Sequence, residues 1–276
     1  MRRVSVQLTV ARGERGNACA ILAQAADLPK LRVKEAMRKG AVWLKRAGSG
    51  ERRLRRAQAL PRGGDVLSIY YDADLLARVP PGAECRHDAS RFSIWFKPAG
   101  LMTQGTRFGD HCSLLRQAEV FLRPAREAFM VHRLDREAAG LVIIAHDRAA
   151  AGDLSRLFTT HQIVKRYRVE ARGPVNPAAG RIERPLNGKP AVTEYTVIAY
   201  DSRRNVSALD LVMRTGRKHQ IRRHLALAGF PVMGDPLYGK NNQNSDGLKL
   251  WALGLEFTCP FTGQKLQFHL PADGAR

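Results

Sequence analysis

Asp135, set between Arg133 and Arg136 in the run VHRLDREAAGLVIIA, is the residue of this chain best placed for covalent chemistry. Cations nearby favour an ionised carboxylate, and such a carboxylate at the mouth of an apolar strand can act as a nucleophile. The same residues also make an ordinary surface ion pair. A second group is Lys165-Arg166-Tyr167-Arg168-Val169, a basic edge entering a strand. Strand alternation puts Lys165, Tyr167 and Val169 on one face and Arg166 and Arg168 on the other. A phenol on the apolar face can stack on a base, accept a proton or fill core. A third is TGRKHQIRRHLALAGFPVMGDPLYG, residues 215–239. Thr215-Gly216-Arg217 reads as a turn opening a helix, whose N-terminus can bind anions with help from Arg217, Lys218, Arg222 and Arg223. Ile221, Leu225 and Ala228 are the expected buried stripe. A buried arginine needs a carboxylate partner, and Asp135 is the natural one for Arg222. His219 reads as a structural hydrogen-bonding histidine, not the base, and Asp235 as a turn and helix-packing residue. Lys97-Pro98-Ala99-Gly100 follows an apolar strand; its shaped loop either offers Lys97 to a phosphate or is a plain turn.

These groups need elements to hold them. From Phe92 onward the chain alternates short strands with loops: SIWF, LVIIA, YRVEA, VTEYTVIAY and VSALDLVM, then a final pair at WALGLEFTCP and QKLQFHL. AAAGDLSRLFTTHQ reads as an amphipathic helix and KHQIRRHLALAG as a helix stopped by Gly229. Many strands and few helices predict an α+β domain on a mixed, mainly antiparallel sheet with flanking helices. Residues 1–75 read as a separate small α+β unit, 76–90 (with Pro80-Pro81-Gly82) as a linker, and 91–276 as the catalytic domain. In the small unit, LPKLRVKEAMRKGAVWL has a helical period at Leu31, Val33, Ala36 and Met37, followed by a strand and a basic turn.

Charge restricts the partner. The 276 residues hold 46 Lys/Arg against 25 Asp/Glu, a formal +21. Twelve of those basic residues and two glutamates fall between Lys30 and Arg62, close to half of the net charge. A one-signed excess points to a polyanion, with nucleic acid first, and Lys34, Arg38 and Lys39 are the expected phosphate contacts. No apolar run approaches the ~18 residues of a membrane-spanning helix, and no signal peptide is read at the N-terminus. The four cysteines are scattered without metal-ligand spacing, so no metal is expected and a reduced, cytoplasmic protein is.

HRLD followed by Gly140, KRY, and TGRKHQIRRH with PVMGDPLYG resemble, in order and spacing, the RluA family of RNA pseudouridine synthases. KPAG is similar to the start of that catalytic domain and LEFTCPFTGQKLQFHLP to its end, so the resemblance covers roughly residues 91 to 272. The basic N-terminal unit resembles the ribosomal protein S-four-like RNA-binding module, more loosely. The resemblance implies an isomerase that converts uridine within ribosomal or transfer RNA to its carbon-linked isomer, without cofactor or metal. It implies Asp135 as the catalytic carboxylate, Tyr167 as the tyrosine that stacks on the base, and Arg222 as the arginine paired with the aspartate. Arg133 matches the arginine that fills the space of the extruded nucleotide; Lys97, Lys165, Arg217 and Ile221 are expected substrate contacts. The enzyme is expected to act as a monomer. Two positions depart from the family's pattern. Ala138 stands where a hydroxyl residue is usual, which removes a loop hydrogen bond worth about 1 kcal/mol, and Trp251 stands where a histidine is often found. An RNA-binding or ribosome-assembly protein without turnover is the alternative. A glycosidase or nuclease would want a second carboxylate or a metal cluster.

Overall fold

The computed structural model describes residues 3–271. Met1, Arg2 and residues 272–276, the basic start and the last of the expected catalytic domain, lie outside the described residues. The chain forms two compact units. One comprises the residues through Pro80 together with Gln104–Val120; the other comprises Pro81–Thr103 and the chain from Phe121 onward.

The first unit contains β1 (Arg3–Thr9), α1 (Ala18–Ala25), α2 (Lys30–Arg38), β2 (Val42–Lys45), β3 (Arg52–Arg53), β4 (Val66–Asp72), α3 (Ala73–Ala77) and most of α4 (Leu114–Phe121). Its sheet runs β1-β4-β2-β3, antiparallel throughout. Asn17 caps α1 by accepting from Ala20 N–H. Val33, Ala36 and Met37 of α2 are buried with Leu22, Leu67 and Ile69. Leu31, expected in the same stripe, is 76% exposed: two residues before Val33, it lies across the helix axis from a face built on i, i+3 and i+4. The same geometry leaves Lys34 and Arg38 exposed on the outer face. Residues 104–120 pack into this unit although they are separated in sequence from the rest of it, which ends at Pro80. Asp110 forms an ion pair with Arg53, Oδ2 to Nε at 3.0 Å, its N–H donates to Lys39 O at 3.0 Å, and Trp43 Nε1 donates to Arg107 O at 3.0 Å.

The second unit contains β5 (Glu84–Asp88), β6 (Phe92–Lys97), β7 (Phe129–Met130), β8 (Ala139–Ala145), α5 (Arg148–Thr159), β9 (Val164–Arg172), β10 (Ala179–Ile182), β11 (Thr193–Asp201), β12 (Val206–Met213), α6 (Gln220–Leu227), β13 (Leu250–Thr258) and β14 (Lys265–His269). The sheet order is β10-β11-β12-β9-β13-β8-β6-β5, with β14 on β13 and β7 on β8. Only the β8–β13 pair is parallel among the described strands. The fold is therefore α+β on a mainly antiparallel sheet. Within the segment read as a linker, α3 ends at Ala77 and β5 pairs with β6. β5 is an edge strand with four of its five residues exposed, so it carries no apolar alternation to betray it. Every residue of β8 is buried, which is why LVIIA reads as a continuous apolar run.

Candidate active site

Asp135 sits in the loop between β7 and β8, and that loop is pinned at several points. Thr103 Oγ1 donates to Leu134 O at 2.9 Å and accepts from Leu134 N–H at 3.1 Å. Gly100 N–H donates to Arg136 O at 2.7 Å. His132 Nε2 accepts from Ile143 N–H at 3.0 Å, and the ring stacks on Phe158 with centroids 4.3 Å apart. An acceptor nitrogen facing a backbone N–H belongs to a neutral imidazole. Burial, with the nearby Lys165 charge, pushes the His132 pKa down to about 3.

Arg222 is a buried charge of the site, 1% exposed on α6. Its Nη1 reaches Asp135 Oδ2 at 3.0 Å. Its Nε and Nη2 grip both oxygens of Asp235 at 2.8 and 2.7 Å, and the Asp235 side chain is wholly buried. Glu137 Oε2 lies 3.9 Å from Nη1. Burial pulls the guanidinium down, but the hydrogen bonds and charges of Asp235 and Asp135 outweigh it, so its pKa ends above the ordinary arginine value. His219 faces the other oxygen of Asp135, Nε2 to Oδ1 at 3.6 Å, and its Nδ1 is 2.9 Å from Tyr238 Oη. Burial lowers the His219 pKa against the opposing pull of Asp135.

Asp135, His132, Arg133, Lys165, Tyr167, Arg217 and His219 line one cleft of about 630 Å³. An adjoining recess of about 70 Å³ is walled by Leu134, Ala138, Ile221, Arg222 and Leu250. Lys165 and Tyr167 share a face of β9, while Arg166 and Arg168 pair with Glu256 and Asp210 on the opposite one. Burial and the Asp135 charge push the Tyr167 phenol above its usual pKa, so it is a neutral aromatic surface. Lys165 Nζ donates to Thr215 O at 3.1 Å, and burial draws its pKa down to about 8. Arg217 anchors its Nε on Pro190 O at 3.0 Å. Arg133 is exposed at the rim. Among the described residues no group of three or more His, Cys, Asp or Glu side chains is placed to hold a metal ion.

Several expectations need correction. Lys97 is fully buried and gives its ammonium to Pro98 O, Leu101 O and Arg136 O at 3.0, 2.7 and 3.4 Å, so it cannot meet a phosphate. It ties the KPAG loop to the Asp135 loop instead, and burial draws its pKa down to about 7 against the pull of Asp135. The helix does not open at Thr215. α6 starts at Gln220, after His219 with φ 53°. Gln220 accepts from Thr215 Oγ1 and Arg217 N–H and donates to Val192 O and Thr193 Oγ1, which holds the preceding turn out of the helix. Ala228 is exposed and outside the buried stripe. Ile221 is 3% exposed and packs in the core while walling the recess. Lys39 is half-buried, tied to Glu35 Oε1 at 2.9 Å and to Leu76 O, whereas Lys34 and Arg38 stay exposed on α2. Asp235 is the two-point partner of Arg222, a role its place in a GDP turn concealed. A carboxylate in a wholly apolar neighbourhood was the available signal. Ala138 lies in the apolar cluster of Val169, Ile221 and Leu250. Trp251 pairs across from Arg168, on the face opposite Tyr167.

The RNA pseudouridylate synthase family profile matches residues 91–227. The dual-specificity RNA pseudouridine synthase RluA of Escherichia coli is 32% identical over 195 residues, 64% of this chain and 87% of that protein. An uncharacterised RNA pseudouridine synthase of Mycoplasma genitalium is 31% identical over 195 residues; there the match spans 62% of the relative's length. Among solved structures, human RNA pseudouridylate synthase domain containing 1 has the same fold, with a TM-score of 0.58 at 23% identity, covering 70% of this chain and 86% of that one.

Proposed function

Since the chain belongs to the RluA-type family of RNA pseudouridine synthases, isomerases that convert uridine in RNA to pseudouridine, we propose that it acts on discrete uridines of ribosomal or transfer RNA with Asp135 as its catalytic carboxylate. The observation that carries this reading is the Asp135–Arg222 contact of 3.0 Å opening into a cleft of about 630 Å³ that also holds Tyr167. That volume is within the ~300–1,000 Å³ of sites that enclose a small ligand. The target nucleotide leaves its stack at a cost of a few kcal/mol. Stacking on Tyr167 offsets about 1–3 kcal/mol of this, and Arg133 fills the vacated space. The bond from C1′ to N1 breaks, the uracil turns, and C1′ bonds to C5, whose proton is lost as N1 gains one. A neutral phenol suits Tyr167 to stacking more than to taking that proton. Lys165 and Arg217 meet the flanking phosphates.

The small basic unit docks the RNA backbone through Lys34 and Arg38, in the manner of an S-four-like module. The protein works as a monomer in the cytoplasm. Mapping pseudouridine by carbodiimide stops in cells with and without the gene tests the reading. Discrete sites should vanish on deletion, return with the wild-type chain and stay absent with Asp135→Asn. No vanished site would favour an RNA-binding protein without turnover; sites restored by Asp135→Asn would remove Asp135 from the chemistry.

A further inference from the structure

The turn Gly234–Gly239 touches neither Asp135 nor the cleft's rim, yet it holds both groups that do. Asp235 accepts four hydrogen bonds: Arg222 Nε and Nη2 at 2.8 and 2.7 Å, and the N–H groups of Leu237 and Tyr238 at 2.8 and 3.1 Å. Tyr238 Oη meets His219 Nδ1 at 2.9 Å, and its ring lies 5.3 Å from the Arg222 guanidinium carbon. The turn is itself immobilised at both ends. A Cβ on Gly234 (φ 70°) would sit 1.9 Å from Gly247 O, and one on Gly239 (φ 88°) 2.2 Å from Pro231 Cβ.

We propose that Asp235 and Tyr238 are positioning residues, which aim Asp135 through two arms, Arg222 and His219; this rests on the reading of Asp135 as the catalytic carboxylate. The physical argument is about which oxygen stays free. An arginine beside a carboxylate tends to grip both oxygens with two nitrogens. Here Asp235 takes Nε and Nη2 side-on, and Asp135 meets the guanidinium through Nη1 and Oδ2 alone. Asp135 Oδ1 is thereby kept out of the ion pair. It faces His219 Nε2 at 3.6 Å, beyond hydrogen-bond length. A Tyr238 phenol that donates to Nδ1 across the 2.9 Å contact leaves the imidazole proton on Nε2, where it points toward that oxygen. One carboxylate oxygen is held and the other is available, and the turn sets the difference.

The test is steady-state turnover of a substrate transcript by the full-length protein. Asp235→Asn replaces one acceptor oxygen by a donor that opposes Arg222, so the guanidinium tips toward Asp135. The kcat is expected to fall about 10²-fold with KM nearly unchanged. Because that variant can also lose fold, Tyr238→Phe is the second arm: it keeps the ring over Arg222 and removes only the hydroxyl. Its kcat is expected to fall about 10-fold, with KM and thermal midpoint as in the wild type. The double variant His219→Gln/Tyr238→Phe should be no slower than His219→Gln alone, since both act through one arm. A Tyr238→Phe enzyme of wild-type kcat, a loss confined to KM, or additive losses in the double variant would overturn the proposal. Asp135→Asn runs alongside. If it is dead while Tyr238→Phe is fully active, the brace fails and the catalytic reading stands; if it turns over, both fall together.

Discussion

Arg222 joins three carboxylates to one buried cation, and its energetics differ from those of the many surface ion pairs of this chain. An exposed pair contributes about 0–1 kcal/mol. Removing one partner of a buried pair leaves an unpaired charge in the interior and costs about 3–5 kcal/mol. Arg222→Leu strands Asp235, whose side chain is wholly buried. It is expected to lose stability in that range by urea unfolding; a loss below about 1 kcal/mol would place the pair among the surface class. His132 makes a second residue-scale prediction. Its folded pKa is near 3, below the ordinary 6.5, because burial, and after it the Lys165 charge, disfavours protonation. Between those values the unfolded chain binds the proton and the folded chain does not. The stability from neutral His132 is therefore full above about pH 6.5 and lost as pH falls toward 3. The limiting slope for one proton is about 1.4 kcal/mol per pH unit. His132→Gln keeps an acceptor for Ile143 without a titrating group, and its stability should fall less steeply between pH 6 and 4. Parallel profiles would show that His132 does not titrate this way. Asp135, Tyr167 and Arg222, which line one recess, were picked out by the order and spacing of the motifs they share with the RluA family. Lys97 was misread because nothing in KPAG shows that three backbone carbonyls surround its ammonium.

At the scale of elements, the parallel contact of β8 with β13 fixes the exit of the Asp135 loop. Gly140 lies in that contact with φ 130°, and a Cβ there would fall 2.3 Å from Ala252 O and 2.5 Å from Ala252 N. No side-chain rotation relieves a clash with backbone. Gly140→Ala is expected to cost on the order of 3 kcal/mol, from overpacking and an unfavourable φ together. The check is the urea midpoint together with turnover. A variant as stable as the wild type would mean that β8 slides off β13 without penalty. The strands themselves were readable from alternation. The start of α6 was not, because the four side-chain hydrogen bonds of Gln220 hold the preceding residues in a turn, and three of their partners come from residues 192, 193 and 215. β5 was missed for the opposite reason: at an edge it buries almost nothing that a pattern would register.

For the whole molecule, the formal charge of +21 sets the affinity for a polyanion and its dependence on salt. The first unit concentrates that charge, and Lys34 and Arg38 stand exposed on α2. Lys34→Glu with Arg38→Glu is expected to weaken RNA binding across sequences and to lower the slope of log K against log salt by about 0.7 for each single-strand phosphate that the protein no longer neutralises. Catalysis at saturating RNA should be nearly unchanged. An unaltered salt slope would move the docking surface elsewhere. Deleting residues 1–75 is a poorer experiment, since Asp110 and Arg107 would be deprived of Arg53 and Trp43 as partners. That residues 104–120 pack with the first unit could not be read from their place in the chain, because sequence distance says nothing about which partner offers an arginine to Asp110.

By itself the sequence determined the class of fold and the polyanionic partner. Those properties are carried by residue type, by periodicity and by charge, and all three are local or additive along the chain. The tertiary structure alone decided which carboxylate grips Arg222 with two bonds, which lysine is buried beneath the loop and which oxygen of Asp135 is left free. Each of these depends on groups far apart in sequence meeting in a low-dielectric interior, where a single hydrogen-bond partner determines the state of a charge.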